Sequence, residues 1–243
     1  MITPKMIEEA TMTPEKRAIA HNDYFAFYIG RPLSYVLTIP FLYTRLSPNH
    51  VTMLSIIPIF IGFVLMYIGD CNSTFVWGWF CFFLWNLLDG VDGNMARYRK
   101  QFSKMGGVWD AMAGYIAMVL SPFAWGIAAA HTPGWLQDQL QLPLDMYIIL
   151  GALSGVFVIF PRFIMHKTIT TVGKGAETEA VKDKSNYSFA KTLALNIISV
   201  TGFMQVLMLL SIFFNLFDLF TIAYFFLNGA VMLFSLRTIF KTK

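Results

Sequence analysis

Apolar residues in this chain gather in long unbroken runs, not in the alternating pattern of a half-buried strand or the single stripe of a surface helix. Six runs approach the roughly 20 residues that a helix needs to cross a ~30 Å hydrocarbon core. They are Val51–Gly69, Thr74–Met95, Gly107–Ala130, Met146–Phe163, Thr192–Asn215 and Leu219–Phe240. A shorter run, Leu33–Tyr43, contains Pro40, sits between Arg31 and Arg45, and cannot span. It predicts an amphipathic helix lying in the membrane interface. The pattern therefore predicts an all-α integral membrane fold: six transmembrane helices preceded by one interfacial helix. Residues 1–30 form a separate N-terminal segment and 31–243 one membrane domain, with no internal repeat.

Composition agrees. The chain is 56% hydrophobic and 13% charged, against roughly 25% charged in a soluble domain; its mean hydropathy is +0.58. The first 30 residues lack the apolar core of a cleavable signal sequence, and Thr13-Pro14-Glu15 reads as a helix start. Cys71 and Cys81, a turn and a helix position, give no disulfide framework. Basic residues fall before the first span (Lys5, Lys16, Arg17, Arg31, Arg45) and between spans two and three (Arg97, Arg99, Lys100, Lys104). The others lie around the loop after span four (Arg162, Lys167, Lys174, Lys182, Lys184, Lys191) and at the end of span six (Arg237, Lys241, Lys243). With six spans all of these share one side, and the opposite turns hold Asp70, Asp138, Asp145 and Asp218. The positive-inside rule then predicts cytoplasmic termini. The net charge of +4 is read as topology and anionic-lipid contact, so no nucleic-acid partner is expected. The polar loop 168–190 reads as mobile. Trp77, Trp79, Trp125 and Trp135 read as an aromatic belt, and Asn196, Gln205 and Asn228 as contacts between helices.

Candidate chemistry concentrates in 89–110, DGVDGNMARYRKQFSKMGGVWD. Carboxylates at membrane depth are costly and mark function. On a helix continuing to about Arg97, Asp89 and Asp92 are neighbours on one face, with Ala96 and Arg97 two turns later. Gly93 and Ala96 leave a shallow groove. Gly106-Gly107 opens span three and Asp110 follows one turn in. Hard oxygen donors suit Mg²⁺ or Mn²⁺, which takes one or two carboxylates plus substrate phosphates. On spacing alone a carboxylate relay in a proton-coupled transporter remains a second reading.

Asp89, Asp92, Gly93, Ala96, Arg97, Gly106 and Asp110 match, with the intervening spacing, the signature D-x2-D-G-x2-A-R-x8-G-x3-D-x3-D, and the chain resembles the CDP-alcohol phosphotransferase family. Pro48-Asn49-x-x-Thr52 before the first span resembles it too. The resemblance implies transfer of a phosphoryl-alcohol group, phosphatidyl or small-alcohol phosphate, from a CDP-linked donor to a lipid or small-alcohol acceptor, with release of CMP, in phospholipid or glycolipid synthesis. It implies that Asp89, Asp92 and Asp110 are catalytic and hold the metal. Gly93, Ala96 and Gly106 would make room for the cytidine, and Arg97 would sit near phosphate or structure the turn. Asn49 and Thr52 would face the nucleotide. The positive-inside rule that sets the termini also puts the 89–110 motif, and so the active site, at the cytoplasmic face; relatives are commonly dimers, which makes a homodimer possible and leaves the oligomeric state open.

One position departs: the last acid of the signature, to which the family assigns metal-ligand and general-base roles, is Gly114 here. Either a different group takes the acceptor proton (Asp110, water or His166), or the acceptor needs little activation, or the chain is a catalytically silent relative that binds a CDP-lipid. Arg162, His166 and Lys167, closing span four, are candidates for acceptor binding, with interfacial cations as the plainer reading.

Overall fold

The computed structural model describes residues 1–172, 193 and 196–241, and the described residues are helical with no strand. Two short helices open the chain: α1 (Pro4–Thr11) and α2 (Pro14–Ala20). Thr3 and Thr13 cap them, each accepting a backbone N–H, with proline in the first turn, where its missing N–H costs nothing. A π-helical turn, Ala26–Gly30, leads into α3 (Arg31–Leu42). The long helices α4 (Pro48–Ile68), α5 (Asn72–Tyr98) and α6 (Gly106–His131) follow. Then come α7 (Trp135–Leu140), α8 (Leu144–Val172), α9 (Phe203–Phe213) and α10 (Phe217–Lys241). Among the described residues, α4, α5, α6, α8 and α10 are long and apolar enough to cross a membrane. The protein is thus a multi-pass membrane protein.

These five helices correspond to five of the six expected runs; α4 starts three residues earlier and ends one residue sooner than expected, α8 runs nine residues further, and the others extend by one to three residues at their ends. The sixth, Thr192–Asn215, lies partly outside the described residues; its described part is not one helix. Residues 199–202 form a turn before α9. Side chains from within the bundle satisfy the polar backbone there. Asn86 donates to Thr201 O, Gln205 to Val200 O, and the Trp79 indole to Gln205 O. A periodicity argument does not see such a break, because two of the residues that stabilise it, Asn86 and Trp79, are on α5. The expected loop 168–190 begins later than its composition suggests, since α8 runs to Val172; its remainder lies outside the described residues.

Small residues set the helix spacing. A Cβ on Gly62 would lie 2.9 Å from Gly78 O, so α4 and α5 touch along their backbones. On Gly126 it would lie 2.4 Å from Tyr147 O, which brings α6 equally close to α8. Close backbone approach of this kind replaces the hydrophobic drive that helices lack inside lipid. The main core runs from Ile59 and Met66 through Phe82 and Trp85 to Trp125, Met208 and Phe220. Trp125 and Trp79 belong to this interior and not to a belt. The Trp125 indole donates to Ser211 Oγ at 2.8 Å, and burial of an indole demands such a partner. Asn228 links α10 to α8 through Ser154 Oγ, as its place in a span suggests.

The N-terminal segment is more than a peripheral appendage. Ile7, Thr11, Ala20 and Phe25 are buried, and α1 packs on α3 and α5. Asn196 clamps the following stretch by accepting from Tyr24 N and donating to Asn22 O. Helix α3 turns a polar face inward. Ser34, Tyr35 and Thr38 are buried, Leu33 and Val36 are exposed, and Asn94 on α5 donates to both hydroxyls of that face.

Candidate active site

Three helix ends meet at one end of the bundle. Helix α4 starts there at Pro48, capped by Ser47, whose Oγ accepts from His50 N while His50 Nδ1 accepts from Ser47 N. Helix α5 ends there, continuous to Tyr98 as its spacing predicts. Its end is a Schellman closure: Gln101 N donates to Ala96 O and Lys100 N to Arg97 O, with Lys100 at φ 55. Helix α6 starts there at Gly106, which places Asp110 just beyond its first turn. A small core of Val51, Leu88, Val91 and Met95, backed by Leu37 and Phe41, lies beneath and locks α3, α4 and α5 together.

Asp89, Asp92 and Asp110 are brought together in this mouth. Asp89 stands within hydrogen-bonding range of Asp110 and close to Asp92, and Asp92 feels Asp110 in turn. Asp92 is buried and Asp110 exposed, so the cluster opens outward. Thr52 Oγ1 donates to Asp92 Oδ2 and lies 3.2 Å from Pro48 O. Asn49 reaches across to the α5–α6 connection: its Nδ2 donates to Ser103 Oγ at 3.0 Å, and its Oδ1 would lie 3.5 Å from a Cβ on Gly106. Arg97 folds back along its own helix, with Nη2 2.9 Å from where a Cβ on Gly93 would stand. Gly93 therefore makes room for the guanidinium. Ala96, on the same helix, is partly buried.

Among the described residues, no three His, Cys, Asp or Glu side chains form a closed metal-holding group. The carboxylates converge on one opening without making a cage. No ion pair neutralises them either: the described ion pairs are Lys5–Glu9 and Arg17–Glu8, both at the surface. Uncompensated carboxylates with hard oxygen donors fit a divalent ion that keeps part of its shell for phosphate and water.

Position 114 is open: a Cβ on Gly114 would meet nothing within 4 Å. The neighbouring Tyr115 leads to α8, where it packs edge-on against Phe163 and beside His166, at centroid distances of 5.1 and 6.3 Å. Arg162 also faces Tyr115. Lys167 is exposed on the same helix. Of the acceptor candidates, Arg162 and His166 thus stand near Tyr115, the residue that follows Gly114.

Sequence reasoning missed Arg99, which fastens the site. Its guanidinium donates to the carbonyls of Leu46, Phe41, Leu42 and Thr44 at 2.6–3.1 Å, tying the α3–α4 connection to the end of α5. Nothing in its sequence position separates it from the other cations of that loop. Asn94 and Ser103 were missed for the same reason: their partners lie 54 or more residues away.

No individual curated protein is similar enough to the chain to be matched as a relative. The profile described as CDP-alcohol phosphatidyltransferase matches residues 45–236, which takes in every helix that contributes to the carboxylate mouth except α3. The chain belongs to the CDP-alcohol phosphatidyltransferase family, whose members transfer a phosphoryl-alcohol group from a CDP-alcohol.

Proposed function

We propose that this protein is an active, metal-dependent transferase that moves a phosphatidyl or small-alcohol phosphate group from a CDP-linked donor to an acceptor hydroxyl, releasing CMP, in the synthesis of a phospholipid or glycolipid. The observation that carries the reading is the gathering of Asp89, Asp92 and Asp110 in one outward-opening mouth, with Thr52 and Asn49 along its wall. In the proposed topology the region 192–215 supplies the sixth span, α3 lies in the interface, and both termini and the mouth face the cytoplasm. This arrangement keeps all the basic residues on one side.

Asp89, Asp92 and Asp110 would hold Mg²⁺ or Mn²⁺. A bound divalent cation would neutralise charge on the diphosphate and on the departing nucleotide. The protein's own groups do the remainder. Thr52 holds Asp92 in place through its hydroxyl. Asn49, anchored on Ser103, lines the space beside Gly106 where the nucleotide would lie. The acceptor oxygen attacks the phosphorus that carries the alcohol, the bond from that phosphorus to the bridging oxygen breaks, and the bridging oxygen leaves with CMP. The hydroxyl proton passes to Asp110, the exposed carboxylate of the three, or through it to water.

The test is CMP release by the purified protein in detergent micelles, with CDP-diacylglycerol or a CDP-linked small alcohol as donor and a panel of alcohols as acceptors. CMP should appear only with divalent metal, and Asp92→Asn should abolish it. Donor binding with no CMP release from any donor and acceptor pair would replace this reading with that of a silent CDP-lipid binder.

A further inference from the structure

The N-terminal segment lies outside the residues that the family profile matches, yet it is built into the wall of the candidate site. It brings a cation there. Lys16 on α2, Arg31 at the start of α3 and Arg97 at the end of α5 stand within electrostatic reach of one another. Lys16 is held in place by its bond from Nζ to Thr11 O at 3.2 Å, and Thr11 is itself buried on α1. None of the three cations has a carboxylate within 4.0 Å among the described residues; Asp92 acts on Arg97 only from farther away. The Nε groups of Arg31 and Arg97 are both buried with no hydrogen-bond partner, and so is the Tyr35 hydroxyl, which lies near Arg97.

Buried donors are satisfied in folded proteins with few exceptions, and each orphan needs a reason. Three cations beside three unmatched donors are costly in the empty protein and favourable around an anion. Burial, reinforced by Arg97 and Arg31, pushes the Lys16 ammonium down to about 8. Guanidinium forks suit phosphate oxygens, and an ammonium adds a point charge.

We propose that Lys16, Arg31 and Arg97, with the Tyr35 hydroxyl, form a phosphate-binding site that the N-terminal segment completes. Its ligand is a phosphate group, carried either by the diphosphate of the donor or by the acceptor. That it binds phosphate does not depend on transfer; which phosphate it holds rests on the transferase reading.

Isothermal titration of the full-length protein in detergent micelles tests this, with inorganic phosphate and with CDP as probes. Phosphate should bind the wild type, and Lys16→Gln and Arg31→Gln should each weaken it by about 10-fold or more, the range expected for a lost charge-assisted hydrogen bond. Lys16→Arg should restore most of the affinity, an outcome that a packing role alone would not produce. Parallel loss of CDP affinity would assign the site to the donor diphosphate. Unchanged CDP affinity, with phosphate binding lost, would assign it to the acceptor. Unchanged affinity for both probes in a Lys16→Gln, Arg31→Gln double variant of native melting temperature overturns the proposal, as does a wild type that binds neither probe. Variants that lose phosphate binding in a protein that never releases CMP would leave this site standing and remove the transferase.

Discussion

Gly114→Asp is the most informative single change, because its costs can be worked out beforehand. The position is inside α6 and a Cβ there meets nothing within 4 Å, so the steric cost is near zero. Replacing helical glycine by alanine gains about 1 kcal/mol, and by aspartate about 0.3 kcal/mol. Asp110 is four residues earlier, and like charges at that spacing cost about 0.2–0.5 kcal/mol. Gly114→Asp should therefore leave stability almost unchanged, while Gly114→Ala should raise it slightly. Activity should separate the two. A general base contributes about 10²–10⁴-fold, equivalent to about 2.7–5.4 kcal/mol of barrier. If the proton is leaving by a slower route through Asp110 or water, Gly114→Asp should raise the rate of CMP release about 100-fold, with no gain in Gly114→Ala. Thermal unfolding in micelles and a CMP-release assay read the two effects independently. A loss of more than about 2 kcal/mol in either variant would refute the open-space reasoning. A stable Gly114→Asp that is no faster than wild type would show that proton removal does not limit the reaction and that the glycine serves the acceptor instead.

Other substitutions probe the scaffold and the walls of the site. Arg99→Ala, by freeing four carbonyls of the α3–α4 connection, should cost about 2–4 kcal/mol and lower the melting temperature by several degrees, with Arg99→Lys recovering only a part; an unchanged melting temperature would show that the connection holds itself. Thr52→Val removes the hydroxyl that donates to Asp92 and should slow CMP release about 10-fold; a rate within twofold of wild type would dismiss Thr52 as a positioning residue. Gly126→Val forces a side chain into Tyr147 O and should destabilise by about 1–3 kcal/mol, whereas Gly107→Ala, with nothing within 4 Å, should melt as wild type does. For Lys16 the folded value of about 8 lies below the ordinary 10.5. Between those values the unfolded chain binds the extra proton, so stability rises with pH. Lys16→Gln should flatten that rise and be the more stable form relative to wild type below pH 8, and only the smaller part owed to Arg97 and Arg31 should fade in high salt; identical pH profiles would refute it.

The sequence carried the helices and the carboxylates for a definite reason. A span is specified by local hydropathy, and Asp89, Asp92 and Asp110 lie within 22 residues of chain, so helix geometry alone puts the first two on one face and the short connection returns the third. Asn49 and Thr52 were legible only through the resemblance, since the contacts to Ser103 and Asp92 span 54 and 40 residues. What stayed hidden was non-local. The role of Arg99 depends on where the α3–α4 backbone ends. The turn at 199–202 depends on Asn86, Gln205 and Trp79. The burial of Trp125 depends on how closely α6 approaches its neighbours.

The N-terminal segment gives the sharpest case. By composition it is polar and mixed in charge, which reads as a peripheral cytoplasmic segment, and Ile7, Ala20 and Phe25 are too few to announce a core. The packing of those residues makes sense only once α3 presents an inward polar face. Ser34 and Thr38 there meet Asn94 from α5, while Gly90 admits the close approach, its Cβ position lying 2.9 Å from Ser34 Cβ. Arg31 and Tyr35 there stand near Arg97, α1 packs on α3 and α5, and α2 brings Lys16 within reach of both arginines. An arrangement in which a segment beyond the family's matched region puts an unpaired cation next to the signature arginine is costly unless an anion comes to it. The matched membrane core thus accounts for the carboxylate mouth and Arg97, and the segment before it accounts for Lys16 and Arg31 beside that arginine.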